Sequence, residues 1–201
     1  MKIGINLVGV YKGARGRNFN NAKESITNNI INCWDEKPKI YITTYHSDED
    51  DNLIQSYQPE KYQFLDFENS NQRGTYLKSL EQLKNEDLDF IISTRFDINF
   101  FNKITNLNID FNKFNFLFKD QWGNCDVLFC FSMKHLTPFI KNLDFIFKTH
   151  TSKRRRNPSF NQHMHNMYDF LHKDIGEENI NFIVDGDHNS DSNDFFELKR
   201  N

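Results

Sequence analysis

The sequence has few cysteines, no long apolar run and little excess charge, and each shortage excludes a class of protein. Its three cysteines, Cys33, Cys125 and Cys130, are odd in number and lack the spacing of metal ligands, so we expect reduced thiols in a reducing compartment. The apolar stretch at the start is too short to span a membrane and is followed by no signal-peptide cleavage site. We therefore expect a cytoplasmic protein with no membrane insertion.

The formal charge is −3, and the apolar share of 37% lies below the about 45–50% of typical globular proteins. A general nucleic-acid partner needs a broad cationic face, so we expect none, and any anion site must be local. Phenylalanine makes up for the low apolar share, because 21 such residues supply large buried surfaces. We expect one folded domain over residues 1–201 that needs no disulfide or structural metal.

Apolar runs alternate with segments of helical period, which indicates βαβ units on a largely parallel sheet. The predicted strands are residues 3–10, 39–44, 63–67, 90–94, 114–118, 127–131 and 180–184. The predicted helices are residues 20–34, 70–83, 135–147 and 161–171. The sequence pattern changes after residue 101, so we expect a first half over residues 1–100 and a second half over residues 101–201, which holds a smaller C-terminal lobe and a tail.

Right-handed crossovers place the carboxyl ends of parallel strands at one edge of the sheet, where open α/β sheets bind ligands. The loops predicted at this edge are residues 11–19, 45–51, 68–74 and 95–100. Functional side chains should therefore lie in these loops.

The sharpest local feature is the run Asp-Phe-Ile-Ile-Ser-Thr-Arg-Phe-Asp at residues 89–97, an apolar strand that ends in Arg95 and Asp97. A carboxylate at the ligand-binding edge can bind a divalent cation. A diphosphate leaving group needs such a cation or fixed positive side chains, because negative charge develops on it. The alternative is that Arg95 and Asp97 simply pair with each other at the strand end.

A loop with glycines and cations follows the first strand, in the order Gly9-Val-Tyr-Lys-Gly-Ala-Arg15-Gly-Arg17. Glycines let backbone approach a ligand closely, and Arg15 and Arg17 could neutralise a diphosphate. The spacing matches neither the dinucleotide fingerprint nor the P-loop. The alternative is a solvated basic turn. Tyr11 and Tyr45 could stack on a base, or they could belong to the core or its rim.

The order of these segments resembles GT-A glycosyltransferases: a first strand with a Gly/Arg loop, then K-I-Y-I-T-T-Y, N-S-N-Q-R and D-F-I-I-S-T-R-F-D-I. More narrowly, it is similar to small bacterial and viral sugar-transferase-like proteins with R-x-D in place of D-x-D. The resemblance covers residues 1–135 and continues weakly to residue 183. It implies a GT-A-like (Rossmann-like), mostly parallel α/β sheet flanked by helices, with a nucleotide-binding first half and an acceptor-side second half.

The resemblance also implies an activity: transfer of a sugar from a UDP- or GDP-sugar donor to a hydroxyl of a glycan or another acceptor, often with Mn²⁺ or Mg²⁺. Asp97 takes the place of the last, metal-binding Asp of D-x-D, and Arg95 replaces the first, which lets Arg95 contact a phosphate or ribose. His188 or His163 could complete the metal shell. Asn71 and Arg73 match polar contacts to base or ribose, and the alternative for Asn71 is an ordinary helix N-cap.

Transfer with inversion needs a general base near the acceptor hydroxyl, whereas retention does not require one. The resemblance makes Asp126 the first choice for this base, because the matching segment often begins with Asp at the acceptor side. Asp120 is the second choice, and the alternative for each is a turn-stabilising role. His163 and His165 lie two apart, which on a helix points them to different faces, so the sequence predicts no metal pair there.

Two other functions stay open at this stage. A non-catalytic sugar-nucleotide-binding domain would explain the missing first Asp of the motif. A Rossmann-type methyltransferase also begins with βαβ units, but it would need an acidic residue at the end of the second strand, where this chain has Thr43, Thr44 and Tyr45.

Overall fold

A computed structural model describes residues 1–11, 19–66, 72–120, 123–150, 164–189 and 193–198. Side chains are described throughout these ranges except at positions 73, 147, 149 and 150. Within them the chain forms a seven-stranded central sheet with helices on both faces.

The first half of the chain supplies four parallel strands. They are β1 (Ile3–Val8), β2 (Lys39–Tyr45), β3 (Lys61–Leu65) and β4 (Phe90–Arg95). The chain runs from β1 outward through β2 to β3 and then returns to place β4 on the other side of β1. The carboxyl ends of β1 and β4 therefore form a topological switch point, the position where open α/β sheets bind ligands.

The second half extends the same sheet beyond β4. Three strands do so, β6 (Phe114–Phe116), β9 (Leu128–Ser132) and β10 (Ile180–Phe182), and the complete order is β10-β6-β9-β4-β1-β2-β3. Strand β9 runs antiparallel to its neighbours β4 and β6, while every other pairing in this sheet is parallel. The two halves share one sheet, so their division into donor and acceptor roles stays a prediction.

Short strands pair beside the main sheet. Strand β5 (Ile98–Phe100) is antiparallel to β12 (Phe196–Leu198). A second small sheet contains β7 (Lys119–Asp120), β8 (Gly123–Asn124) and β11 (Asp187–His188). Both small sheets hold the segments that surround the carboxyl edge of β4.

The described helices are α1 (Asn20–Ile26), α2 (Asp50–Tyr57), α3 (Gln72–Glu81), α4 (Leu136–His150) and α5 (Met167–Ile175). Helix α1 continues as a π-helical turn over Thr27–Ile31. Residues alternate between the two faces along each strand, so Phe90 and Ile92 pack with α1 and α2, whereas Ile91 packs with α3 to α5. No helix in the described part of the chain is long and apolar enough to cross a bilayer.

The predicted fold class is confirmed, and the errors of the prediction concern the bounds of single helices. Helix α2 begins inside the loop predicted at residues 45–51. The sequence did not predict this helix because it is polar and buries only Leu53 and Tyr57, which leaves a weak apolar period. Acidic Asp50 and Asp51 in its first turn suit a helix N-terminus. The helix predicted at residues 161–171 is instead α5, six residues later at its start, and residues 161–163 lie outside the described ranges.

Candidate functional site

Arg95 and Asp97 pair at the carboxyl end of β4. The guanidinium donates from Nε to Asp97 Oδ1 at 2.9 Å and from Nη2 to Asp97 Oδ2 at 2.7 Å. Burial opposes the charge on Arg95, whose side chain is 12% exposed, but Asp97 and Asp126 outweigh that effect and raise its pKa. Arg95 therefore stays charged, and the pairing that the sequence left as an alternative is present.

Asp126 lies on the other side of Arg95. Because β9 is antiparallel to β4, it starts at the edge where β4 ends, and Thr94 is opposite Leu128. The Thr94 hydroxyl donates to the carbonyl of Val127 at 2.9 Å and joins the two segments. Asp126 Oδ1 is 3.8 Å from Arg95 Nη1.

Helix α3 contributes the next contact, since the side-chain amide of its first residue, Gln72, donates to Asp126 Oδ2 at 2.9 Å. Tyr76, one turn further along α3, is buried, and burial followed by the charge of Asp126 raises the pKa of its phenol. Tyr76 thus stays protonated beneath the cluster.

His165 lies between two carboxylates. Its Nδ1 is 2.7 Å from Asp120 Oδ2, and its Nε2 is 3.6 Å from Asp126 Oδ2. An ionised Asp120 can only accept, so Nδ1 carries the hydrogen. Burial lowers the pKa of His165, but the hydrogen bond to Asp120 and the charges of Asp126 and Asp120 outweigh it, and the pKa is raised.

Five residues therefore form a continuous chain of contacts, which we call the charged cluster: Asp97, Arg95, Asp126, His165 and Asp120. Its three carboxylates and one guanidinium give a formal charge of −2 with His165 neutral and −1 with His165 protonated. An anionic ligand beside it needs positive charge in addition to Arg95.

Gly9 borders the same edge from β1. Its φ is +105°, which favours glycine, and no described atom lies within 4 Å of the place where a Cβ would stand. Its amide donates to Thr43 and its carbonyl accepts from Thr44, which fixes the backbone. The backbone at Gly9 is therefore open among the described residues, and its contact with a ligand stays a prediction.

The ring of Tyr11 belongs to the core, which is one of the two alternatives that the sequence left open. The side chain is 1% exposed and packs against Phe19 and Phe96. Its hydroxyl donates to Asp50, at the start of α2. Tyr45 is likewise buried, with its hydroxyl bonded to Thr75.

Asp97 and His188, the two expected metal ligands, both have protein partners. Both oxygens of Asp97 accept from Arg95, whereas His188 packs on Phe118 and Phe195 and donates from Nε2 to the carbonyl of Asp185. Its strand neighbour is Asp120. In the described ranges no group of three or more His, Cys, Asp or Glu side chains could hold a metal ion, and the metal role of Asp97 and His188 stays a prediction.

Several predicted contacts cannot be placed. Arg15, Arg17, Asn71 and His163 lie outside the described residues, and Arg73 is described only as backbone in α3. Their roles stay predictions.

His165 is the site residue that sequence reasoning missed. The sequence pattern predicts a helix at this position, but His165 lies in the turn before α5. Its partner Asp120 is 45 residues away in the sequence, so no local pattern connects them.

Comparisons with known proteins support the fold. No family model matches the chain, and no curated protein matches its sequence. In three dimensions 148 chains of solved structures match. One is the crystal structure of 4-diphosphocytidyl-2C-methyl-D-erythritol synthase from Anaerococcus prevotii, with a TM-score of 0.56 and 10% identity over 90% of this chain and 86% of that one. This likeness confirms the GT-A-like α/β fold and concerns the fold alone.

Proposed function

We propose that this chain is a transferase that takes a nucleotide-activated donor, and more narrowly a glycosyltransferase that moves a sugar from a UDP- or GDP-sugar to a hydroxyl acceptor. One observation carries the proposal: the charged cluster lies at the switch point between β1 and β4 of a GT-A-like sheet. Buried charges are usually kept where they act on a ligand or form an ion pair, and here they gather at the ligand-binding edge.

The donor would lie across the carboxyl ends of β1 and β4. Gly9 leaves room for its phosphates beside the backbone, and Arg95 supplies a permanent positive charge nearby. The cluster is negative overall, so binding of a diphosphate calls for further cations, and Arg15, Arg17 and Arg73 are proposed for this part. The name of the similar enzyme from Anaerococcus prevotii contains a diphosphocytidyl group, which is consistent with a nucleoside diphosphate at this edge.

In the proposed reaction the acceptor hydroxyl attacks the anomeric carbon. The bond from that carbon to the diphosphate breaks, and its electron pair leaves with the nucleoside diphosphate. Arg95 stabilises the leaving charge, for which it must turn part of its guanidinium from Asp97 toward the phosphate. The hydroxyl proton passes to the carboxylate side of the cluster, where Asp126 is the base proposed from the sequence.

A divalent cation, Mn²⁺ or Mg²⁺, remains part of the proposal only as an ion that arrives with the diphosphate. The described residues do not form a site for it, because Asp97 is held by Arg95. No step above depends on it.

A panel of UDP-, GDP-, CMP- and dTDP-sugars, each with and without Mn²⁺, tests the proposal by thermal shift, since a ligand of the native state raises apparent stability. We expect one UDP- or GDP-sugar to raise the Tm and to be turned over with an acceptor. Arg95→Lys keeps the positive charge but loses the planar guanidinium, so it should lower the affinity for that donor by about tenfold or more.

Lys141→Gln is the matched control, because Lys141 is 70% exposed and pairs with Asp174 away from the cluster. Equal donor affinity in all three proteins would contradict the placement of the donor. Binding without any transfer or hydrolysis would favour the non-catalytic binding domain, for which the engaged Asp97 is the supporting observation.

A further inference from the structure

We propose that His165 accepts the proton of the acceptor hydroxyl and that Asp120 is the positioning residue that orients it. This inference rests on the proposed function and revises one part of it, because it moves the base from Asp126 to the imidazole beside it. The observation that carries it is the placement of His165 between two carboxylates at the edge of the charged cluster.

Asp120 orients the imidazole ring of His165. Asp120 has a fully buried side chain and accepts from Nδ1 of His165 at 2.7 Å. This hydrogen bond fixes the tautomer and leaves the lone pair on Nε2, which faces Asp126 and the cluster. A carboxylate that holds one ring nitrogen while the other takes a proton is a general arrangement for base catalysis.

Several hydrogen bonds hold the backbone around His165 in place. Asn124 is fully buried and donates from its backbone to the carbonyl of His165 at 2.6 Å. Its side chain donates to the carbonyl of Met164 at 3.0 Å and accepts from the amide of Tyr168 at 2.9 Å. These three bonds fix the turn on both sides of the imidazole, which is the preorganisation that a reacting group needs.

Asp126 is a weaker candidate for the base. Gln72 donates to one of its oxygens and Arg95 faces the other at 3.8 Å. Both oxygens of Asp126 therefore already have a protein partner, and an acceptor hydroxyl would have to displace one of them. The described charged groups that face His165 are Asp120 and Asp126, with Arg95 behind Asp126, so the imidazole gains two favourable contacts when it is protonated.

The balanced step is a direct displacement. The O–H bond of the acceptor breaks, its electron pair forms the new bond to the anomeric carbon, and the proton moves to Nε2 of His165. The bond from the anomeric carbon to the diphosphate breaks, and the nucleoside diphosphate leaves with those electrons. The resulting imidazolium lies between Asp120 and Asp126, and the displacement inverts the anomeric carbon.

Kinetics of four proteins test this inference: wild type, His165→Gln, Asp126→Asn and the control His172→Gln. His172 lies on α5, where its Nδ1 contacts the carbonyl of Tyr168 outside the cluster. We expect His165→Gln to lower kcat by about 10²–10⁴-fold with donor affinity unchanged, and to remove the acidic limb of the pH profile of kcat/KM. His172→Gln should behave as wild type. A full loss in Asp126→Asn with normal turnover in His165→Gln would overturn the inference and return the base to Asp126.

A second measurement needs no donor. NMR titration of the imidazoles should show a His165 pKa above its ordinary value, and Asp120→Asn should lower it and move the acidic limb of the profile to lower pH. A His165 pKa that is ordinary and indifferent to Asp120→Asn would overturn the inference. Failure of the proposed function is distinct from this, since it would appear as a wild-type protein that binds and turns over no nucleotide sugar.

Discussion

Arg95 and Asp97, at the end of β4, are joined by two hydrogen bonds of 2.9 and 2.7 Å, and this pair occupies the position expected for a metal-binding motif. Both side chains are almost fully buried. A buried guanidinium that loses its counter-ion is strongly destabilising, because its charge stays desolvated. The pair therefore links the chemistry of the site to the stability of the apo protein.

Asp97→Asn should lower the free energy of unfolding of the apo protein by about 3 kcal/mol, since Arg95 loses its charged bidentate partner and, among the described residues, keeps the longer contact to Asp126. Urea denaturation measures this change. Asp174→Asn is the control, because its pair with Lys141 is more exposed, with 28% and 70% of the two side chains accessible, and it should change stability by less than about 1 kcal/mol. Equal changes in unfolding free energy for the two substitutions would contradict the claim that Arg95 and Asp97 form a buried ion pair.

Mn²⁺ alone should leave the Tm of the apo protein unchanged, because the described residues offer it no group of three ligands and Arg95 already occupies Asp97. Thermal melts with Mn²⁺ and with EDTA measure this directly. A Mn²⁺-dependent rise in Tm that disappears in Asp97→Asn would restore Asp97 as a metal ligand and refute this part of the account.

Gly123→Ala should destabilise the protein by about 3 kcal/mol or more, since the residue has φ +135° and a Cβ there would stand 2.2 Å from the carbonyl oxygen of His165. Gly186→Ala is the matched control: it also has a positive φ, +87°, but the nearest atom is 4.0 Å away, so it should lose only about 1–2 kcal/mol. Similar losses of stability in the two variants would show that the carbonyl of His165 does not pack tightly against Gly123.

The stability that His165 contributes should depend on pH. Its pKa is raised in the folded state, so the contribution is full below the unfolded value of about 6.5 and is lost as pH rises through the folded value. His135 acts in the opposite direction, because burial lowers its pKa. The difference in unfolding free energy between wild type and His165→Gln isolates the first effect, and it should shrink from pH 6 to pH 9. A difference that stays constant would contradict the charged contact.

The sheet could be predicted from the sequence because β1, β2 and β4 are nearly continuous apolar runs, as expected of parallel strands buried on both faces. The position of β9 could not be predicted, since its pairing with β4 is set by packing between distant segments. That pairing is what brings Asp126 to Arg95.

For the candidate site, the sequence indicated single residues but not how they come together. Arg95 and Asp97 were proposed because they follow an apolar strand, and Gly9 because it opens a loop of glycines and cations. Asp126 was proposed because the resemblance places an Asp at the acceptor side, with Asp120 as the second choice. Among their contacts the sequence anticipated only the pair of Arg95 and Asp97, and it did so as an alternative. His165 was missed because its position depends on hydrogen bonds to Asn124, which are formed only in the folded chain.

The central claim is that a nucleotide sugar binds at the carboxyl ends of β1 and β4, against the charged cluster. A crystal structure of the chain with the donor that raises its Tm most tests this claim most directly. We predict that the diphosphate lies beside the backbone of Gly9 and within hydrogen-bond reach of Arg95, with the sugar toward Asp126 and His165. A donor bound elsewhere, with the charged cluster untouched and Arg95 still held by Asp97, would contradict the account.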